Sequence, residues 1–185
     1  MRKLLMIRYD TIFLDRDGTL NHDPGYIASI NDFQFFDYTL LALKKLKNIC
    51  NNFCIISNQS GVARGLIRID DLSEIHSYIL SFFHDNNLNL IGIYFCTDHP
   101  NNASINRKPG DGMFLKASED HNIALKSSLM IGDSVCDVEA AQRCNMESML
   151  VLTGNGKKAK KSPNISPTFI EENLLTASIF LSGIK

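Results

Sequence analysis

Two carboxylates one residue apart follow an apolar run near the start of the chain. Residues 11–14 are Thr-Ile-Phe-Leu, and Asp15 and Asp17 come directly after them, before Gly18. The pattern predicts a buried strand that ends at the edge of an α/β sheet, where ligands bind. Because two anions this close repel each other, Mg²⁺ with its oxygen ligands suits the pair and would attract a phosphate. A strand that ends in an Asp-rich turn explains this single segment equally well.

Three other segments place polar and charged side chains at strand ends or in loops. They are, in chain order, Ser57 with Asn58, Arg107 with Lys108, and Asp133 with Asp137. Acids can hold a metal ion, a hydroxyl and amides can bind phosphate oxygens, and a cation can neutralise charge, which together suit phosphoryl transfer. Singly, each group also has an ordinary reading as a strand-end hydroxyl, a surface charge or a helix N-cap.

The apolar periodicity between these segments predicts strands that alternate with helices. Strands are predicted at 11–14, 53–57, 90–96, 128–133 and 148–152, and helices at 40–50, 69–83, 112–121, 134–144 and 167–179. Such alternation favours a parallel sheet with helices on both faces. Residues 20–36 have no lasting period, which predicts a loop or small flap over the crevice rather than a cap domain. The 185 residues suit one domain over 1–185.

Composition excludes several classes of protein. The 19 basic and 20 acidic residues create no global field that would favour nucleic acid or an anionic membrane. The five cysteines are odd in number and mostly lie in apolar segments, which indicates reduced thiols. Residues 1–6 are too short for the apolar part of a signal peptide, and no segment has the length of a membrane span. We therefore expect a soluble, cytoplasmic monomer, and we interpret the basic tract at 157–161 as a solvated loop rather than an anion-binding surface.

Four segments in this order resemble the four motifs of haloacid dehalogenase-like (HAD) phosphatases. They are Asp-Arg-Asp-Gly-Thr-Leu-Asn at 15–21, Ser-Asn-Gln-Ser-Gly-Val-Ala-Arg-Gly at 57–65, Arg-Lys-Pro at 107–109 and Gly-Asp-Ser-x-x-Asp at 132–137. More narrowly, they are similar to those of the D-glycero-D-manno-heptose 1,7-bisphosphate phosphatase group, close relatives of the histidinol-phosphate phosphatases. The similarity runs from about residue 11 to residue 152. It implies a three-layer α/β/α Rossmann-like fold with a parallel central sheet and no large cap domain.

The resemblance implies catalytic roles for three residues. Asp15 is the expected nucleophile, which forms an aspartyl-phosphate. Asp17 is expected to protonate the leaving group and later to activate water, which requires a raised pKa. Lys108 is expected to tie the phosphate to the nucleophile as a point charge. Mg²⁺ would be held by Asp15, Asp133 and the backbone carbonyl of Asp17.

The resemblance also implies a set of binding residues. Ser57, Asn58 and Gln59 are expected to hold the transferring phosphate. Arg64 and Arg107 would clamp a second phosphate or a sugar hydroxyl, although both are equally well explained as surface residues. For Asp137, supporting the metal site and capping a helix are equally open interpretations.

The chain departs from this family pattern at two places. Many relatives bind a structural zinc through a Cys-x-His pair and a later Cys-x-Cys pair. The corresponding positions here hold Cys96, Thr97 and Asp98, then Ser104, Ile105 and Asn106. Cys96 and the neighbouring His99 would together supply only two ligands, which cannot close a tetrahedral site. We therefore predict that structural zinc is absent. Ser134 stands where relatives often carry Lys, which removes one positive charge near the metal site.

The predicted function is a Mg²⁺-dependent phosphatase of small phosphorylated metabolites that removes the 7-phosphate of a heptose 1,7-bisphosphate. Its product would feed nucleotide-activated heptose for surface polysaccharide. Histidinol phosphate is the alternative substrate, and a phosphorylated nucleic-acid end is disfavoured by the near-neutral charge. A receiver-like signalling module also gathers acids and a lysine around Mg²⁺, but it has no general acid two residues beyond the acceptor aspartate. A catalytically inactive binding protein is the remaining alternative.

Overall fold

The computed structural model describes residues 8–183 and contains one six-stranded parallel sheet. Residues 1–6, which the sequence analysis considered as a signal peptide, lie outside the described part. The strand order is β3-β2-β1-β4-β5-β6. The strands are β1 (Tyr9–Leu14), β2 (Cys50–Asn58), β3 (Leu90–Cys96), β4 (Leu129–Gly132), β5 (Glu147–Val151) and β6 (Phe169–Glu171). The order reverses beside β1, where open α/β sheets bind ligands.

Helices cover both faces of the sheet and confirm the predicted α/β class. They are α1 (Thr39–Leu46), α2 (Ile69–Asp85), α3 (Gly112–His121), α4 (Val135–Arg143), α5 (Gly156–Ala159) and α6 (Leu174–Gly183). Ile12 and Leu14 of β1 pack with α1, α2 and α6 on one face, and Phe13 packs with α3 and α4 on the other. All three side chains are fully buried, which explains the continuous apolar run before the acids.

The register of the central strands brings the functional segments to one edge. Leu14 of β1 lies opposite Ile55 of β2 and Ile131 of β4. Because the strands are parallel, the residues that follow these three positions leave the sheet at the same end. The 20–36 segment contributes one 3₁₀ turn, Ile30–Asp32, and no helix long enough to form a cap.

Three local predictions differ from the structure. The predicted helix at 167–179 is wrong at its start, because Phe169–Glu171 pairs with Met149, Leu150 and Val151 as strand β6 before α6 begins. Cys50 is the first residue of β2 rather than the end of a helix, since α1 ends at Leu46. The basic tract includes the one-turn helix α5, which leaves its lysines exposed. Within the described part of the chain, no helix has the length and apolar character needed to cross a bilayer.

Candidate active site

A cleft of about 400 Å³ opens at the carboxyl ends of β1, β2 and β4. Its walls combine strand-end residues with the 20–36 flap and the loop that precedes α3. Among the lining residues are Asp15, Asp17, Asp23, Tyr26, Ser57, Asn58, Gln59, Arg107, Lys108, Asp133, Ser134 and Asn155. Most of the residues singled out in the sequence therefore meet in one crevice.

Lys108 joins the acids of two strand ends. Its Nζ atom donates to Asp15 Oδ1 at 2.8 Å, to Asp137 Oδ1 at 2.6 Å and to the Ile56 carbonyl at 2.7 Å. The Lys108 side chain is 1% exposed, so its ammonium is held entirely by these three acceptors. Such charge-assisted bonds fix the cation beside the Asp15 carboxylate.

Asp133 lies against two backbone segments that have no side chains at the contact. A Cβ atom at Gly18 or at Gly154 would collide with the Asp133 carboxylate, and both glycines have positive φ, +80° and +48°. The backbone N–H of Asn155 donates to Asp133 Oδ2 at 2.6 Å. The loop after β1 and the loop after β5 thus close around one acid.

Asp137 caps helix α4 and also lies in the acid cluster. It completes a capping box with Ser134 at the start of α4, and Ser134 N donates to its Oδ2 at 3.0 Å. Its other oxygen accepts from Lys108. Oxygens of Asp15, Asp133 and Asp137 all lie within 4.8 Å of one another. The helix cap therefore also places a third carboxylate in the acid cluster.

The electrostatics of this cluster fit a divalent cation. Burial and the Asp137 charge raise the pKa of Asp15 well above its ordinary value, although Lys108 opposes the shift. Burial and Asp137 likewise raise the pKa of Asp133 to about 7. For Lys108, burial alone would lower the pKa, but Asp137 and Asp15 raise it overall. Three carboxylates face one ammonium, so the cluster carries excess negative charge that Mg²⁺ would balance with oxygen ligands.

The surroundings of Asp17 have the opposite charge balance, with one cation and two amides around a single carboxylate. Arg16 Nε and Nη2 donate to Asp17 Oδ1 and Oδ2 at 2.8 and 2.7 Å. Asn21 Nδ2 donates to Oδ1 and Gln59 Nε2 to Oδ2, each at 2.9 Å. Burial alone would raise the pKa of Asp17, but the Arg16 charge and these hydrogen bonds lower it overall. The expectation that the folded surroundings raise this pKa is therefore wrong for the structure described here.

Ser57 and Asn58 at the end of β2, with Gln59 directly after them, make three hydrogen bonds at the cleft. Ser57 Oγ accepts from Gln59 Nε2 at 2.7 Å. Asn58 exchanges two hydrogen bonds of 3.0 Å with the backbone of Lys108, which anchors the loop that carries the lysine. Ser57 and Gln59 are almost fully buried at the base of the cleft.

The two arginines proposed to clamp a second phosphate are placed differently. Arg107 lines the cleft and donates to the Asp98 carbonyl at 3.2 Å. Arg64 is exposed and is not among the described residues that line the cleft. The sequence treated both in the same way because exposure on a loop leaves no periodic signal.

Hydrogen bonds organise the 97–110 loop, where the sequence analysis looked for zinc ligands. The backbone N–H of Ser104 donates to Asp98 Oδ2 at 2.7 Å, and Asn106 N donates to Ser104 Oγ at 3.2 Å. His99 Nδ1 accepts from Asn101 N at 3.2 Å. The bond from Ser104 to Asp98 connects the two ends of the loop, and the other two bonds each join residues two positions apart.

Sequence reasoning missed the role of Arg16. Its side chain is among the largest fully buried ones, yet the sequence analysis gave it no role beyond its place between Asp15 and Asp17. A signal existed, because an arginine directly after a buried strand needs an anionic partner if it follows the strand into the interior. Asn155 was missed for a different reason, since its backbone, not its side chain, contacts Asp133.

Buried acids, a lysine and a hydroxyl at the switch point of a parallel sheet define a phosphoryl-transfer site of the HAD type. The sequence pattern of the HAD-hydrolase-like family matches residues 105–177. In solved structures, the D,D-heptose 1,7-bisphosphate phosphatase of B. bronchiseptica, complexed with magnesium and phosphate, is similar with a TM-score of 0.84. That match is 27% identical and covers 93% of this chain and 97% of the other.

Two relatives are more similar in sequence. A D-glycero-beta-D-manno-heptose-1,7-bisphosphate 7-phosphatase of Yersinia pestis is 38% identical over 151 residues, 77% of this chain and 80% of the relative. One of the same name from Photorhabdus laumondii is 33% identical over 181 residues, 94% of this chain and 96% of the relative. The chain belongs to the HAD-like phosphatases, in the family of the heptose-1,7-bisphosphate 7-phosphatases.

Proposed function

We propose that this chain hydrolyses the 7-phosphate of D-glycero-β-D-manno-heptose 1,7-bisphosphate. The observation that carries the proposal is the cluster in which Lys108 and the carboxylates of Asp15, Asp133 and Asp137 share one buried strand end. Relatives that share most of the chain bear this activity in their names. The β configuration at carbon 1 comes from those names.

Asp15 performs the first step as the nucleophile. One of its oxygens forms a bond to phosphorus while the bond from phosphorus to the C7 oxygen of the sugar breaks. Lys108, at 2.8 Å from Asp15, holds the nucleophile and balances charge on the phosphoryl oxygens. Ser57 and the backbone after β2 hold the same phosphoryl group. Asp17 donates a proton to the departing sugar oxygen, so the product leaves as a neutral alcohol.

Asp17 performs the second step as a base. Its carboxylate takes a proton from a water molecule whose oxygen bonds to the phosphorus of the aspartyl-phosphate. The bond from phosphorus to Asp15 breaks, which releases inorganic phosphate and restores the Asp15 carboxylate. The proton that Asp17 gained is the one it donates in the next turnover.

Asp15, Asp133 and the backbone carbonyl of Asp17 are the proposed ligands of Mg²⁺. When bound, the ion neutralises negative charge on the acids and on the phosphate. Asp137 supports the cluster through Lys108 and Ser134. A cation beside Asp15 would lower its pKa, and a phosphate beside Asp17 would raise the pKa of that acid, so ligands oppose both shifts described above.

We further propose that the loop of residues 97–110 holds no structural zinc. Its backbone is instead held by Asp98, Ser104 and Arg107 through hydrogen bonds. We also propose a monomer with one phosphatase domain over 1–185, no nucleic-acid or membrane partner and a cytoplasmic location, as the balanced charge suggests. Metal analysis of the purified protein tests the zinc proposal, and one tightly held zinc per chain would overturn it.

Phosphate release with Mg²⁺ across a panel of substrates tests the proposed function. The panel contains the α and β heptose 1,7-bisphosphates, histidinol phosphate and 5′-phosphorylated oligonucleotides. We expect the highest kcat/KM on the β heptose bisphosphate. A higher kcat/KM on histidinol phosphate would assign the alternative substrate. A stable phosphoprotein with no turnover on any substrate would indicate a signalling module instead.

A further inference from the structure

Gln59 uses every hydrogen of its side-chain amide inside the protein. Its Nε2 atom donates to Ser57 Oγ at 2.7 Å and to Asp17 Oδ2 at 2.9 Å. Its Oε1 atom accepts from Arg16 Nη2 at 3.1 Å. Since Arg16 can only donate, the oxygen of the amide must face it, which fixes the nitrogen toward Ser57 and Asp17. A phosphate oxygen needs a donor, and Gln59 has none left to offer.

The hydrogen bonds of Gln59 orient the side chains of both Ser57 and Asp17. Ser57 Oγ accepts from Gln59, so the hydroxyl hydrogen of Ser57 is free to point at a phosphoryl oxygen. Asp17 accepts two hydrogen bonds on each oxygen, from Arg16 and Asn21 on Oδ1 and from Arg16 and Gln59 on Oδ2. Four bonds match the four acceptor sites of a carboxylate and hold its plane in one orientation, so one donor must give up its site when Asp17 carries a proton.

We propose that Gln59 is a positioning residue for the general acid Asp17 rather than a substrate-binding residue. It links the hydroxyl that holds the transferred phosphate to the carboxyl group that protonates the leaving oxygen. Arg16 orients the Gln59 amide by donating to its oxygen, and it also donates to both oxygens of the Asp17 carboxylate. This inference rests on the proposed function, because it assumes that Asp17 is the acid of a phosphatase.

Leaving-group chemistry separates the two roles for Gln59. An acid is needed when a sugar alkoxide departs, but 4-nitrophenolate leaves without protonation. The ratio kcat/KM covers the steps up to the first irreversible one, which is the transfer to Asp15. A positioning defect should therefore lower kcat/KM on the heptose bisphosphate much more than on 4-nitrophenyl phosphate. A lost phosphate contact should lower both values alike.

The test compares kcat/KM on these two substrates for the wild type, Asp17→Asn, Gln59→Met and Ser57→Ala. Gln59→Met keeps the length of the side chain and removes its donors. The matched control is Gln142→Met on α4, where the amide is exposed and donates to the Ser166 carbonyl. Circular dichroism and thermal melting establish that each variant is folded. If Gln59→Met does not fold, Gln59→Asn, which keeps the amide but shortens its reach, replaces it.

We expect Gln59→Met to lower kcat/KM by about 10- to 100-fold on the sugar substrate and by less than about 3-fold on 4-nitrophenyl phosphate. It should also show a burst of nitrophenolate, because the second step still needs Asp17 as a base. Asp17→Asn should show a larger difference between the losses of kcat/KM on the two substrates. Ser57→Ala should lose kcat/KM equally on both substrates, and Gln142→Met should lose it on neither.

Two results would overturn the inference. Equal losses on both substrates for Gln59→Met would make Gln59 a phosphate-binding residue, and wild-type values on both would leave it without a catalytic effect. Failure of the proposed function is recognised separately. In that case the wild type releases no phosphate, or Asp17→Asn itself shows no contrast between the substrates.

Discussion

Asp15 and Asp17 are two residues apart, yet they belong to regions of opposite charge balance. On the Asp15 side, acids from β1 and α4 face a single lysine, and burial with the Asp137 charge raises the pKa of Asp15. On the Asp17 side, the Arg16 fork and two amides neutralise one carboxylate and lower its pKa despite burial. The first region has an excess of acids, which attracts a cation, whereas in the second region one arginine already balances one carboxylate.

The difference shows how one short segment supplies two acids with different chemistry. The sheet brings Asp133 and Asp137 to Asp15 because β1 and β4 are neighbours. Arg16 is buried beside Asp17 and bonds it directly. Pairs of acids whose surroundings separate their pKa values are typical of sites in which the two acids have distinct roles. The predictions below alter one side of this comparison at a time.

Asp15→Asn should have the largest effect. The amide cannot serve as a nucleophile, so we expect kcat to fall by at least about 10⁴-fold while the fold is retained. Phosphate release measures the loss, and circular dichroism checks the fold. Asp85→Asn at the end of α2, where the side chain is 73% exposed, is the matched control. A near wild-type rate for Asp15→Asn would rule out covalent catalysis at this residue.

Asp133→Asn tests the excess negative charge on the Asp15 side. Because the pKa of Asp133 is raised to about 7, its charged form opposes folding above that pH, and the opposition disappears as the pH falls toward 4. In EDTA at pH 8, the variant should therefore melt at least about 3 °C higher than the wild type.

Mg²⁺ should narrow this difference in melting temperature between the variant and the wild type. Saturating Mg²⁺ stabilises the wild type by about 3 kcal/mol at 100 times its Kd, whereas Asp133→Asn should lose at least about 10-fold in Mg²⁺ affinity. Thermal melting over a Mg²⁺ titration measures both effects. A variant that melts lower than the wild type in EDTA would show that Asp133 stabilises the fold without the ion.

Arg16→Met tests the neutralised side. Removing the fork leaves a carboxylate that is 20% exposed without its cation, so we expect a loss of about 3 kcal/mol in the free energy of unfolding. Urea denaturation measures it. Arg68→Met is the control, because the Arg68–Asp70 pair is solvent-exposed at 77% and 80% and its loss should change stability by less than about 0.5 kcal/mol. Similar losses for the two variants would contradict the comparison.

The sequence predicted the sheet and the acid cluster well because their signals are local. Continuous apolar runs mark buried parallel strands, and Asp15 and Asp133 directly follow such runs. Helix α3 has the predicted bounds, Gly112–His121. Strand β6 could not be found in this way, because three residues are too few to show a period and its hydrogen bonds come from β5.

The surroundings of Asp17 were beyond sequence reasoning for a related reason. Arg16 is adjacent to Asp17, but the direction of its side chain depends on how the chain turns after β1. The partner amide of Gln59 comes from a segment 42 residues later. The pattern identified which groups meet in the cleft, but it did not contain the orientation that turned the pKa of Asp17 downward.

The imidazole of His76 also feels the charge of Arg16, the cation that pairs with Asp17. Burial and the Arg16 charge lower the pKa of this α2 residue to about 4, and its Nε2 atom is buried without a hydrogen-bond partner among the described residues. The unfolded chain, with a pKa near 6.5, binds the proton more readily. Stability should therefore be complete above about pH 7 and decline as the pH falls from 6.5 toward 4.

His76→Gln should remove this part of the pH dependence. From pH 7 to pH 5, the free energy of unfolding of the wild type should fall by about 2 kcal/mol more than that of the variant. Urea denaturation at both pH values measures this difference. His84→Gln, an exposed substitution on the same helix, is the control and should leave the slope as in the wild type. If His76→Gln has the wild-type slope, neither burial nor the Arg16 charge lowers the pKa of His76 in the folded protein.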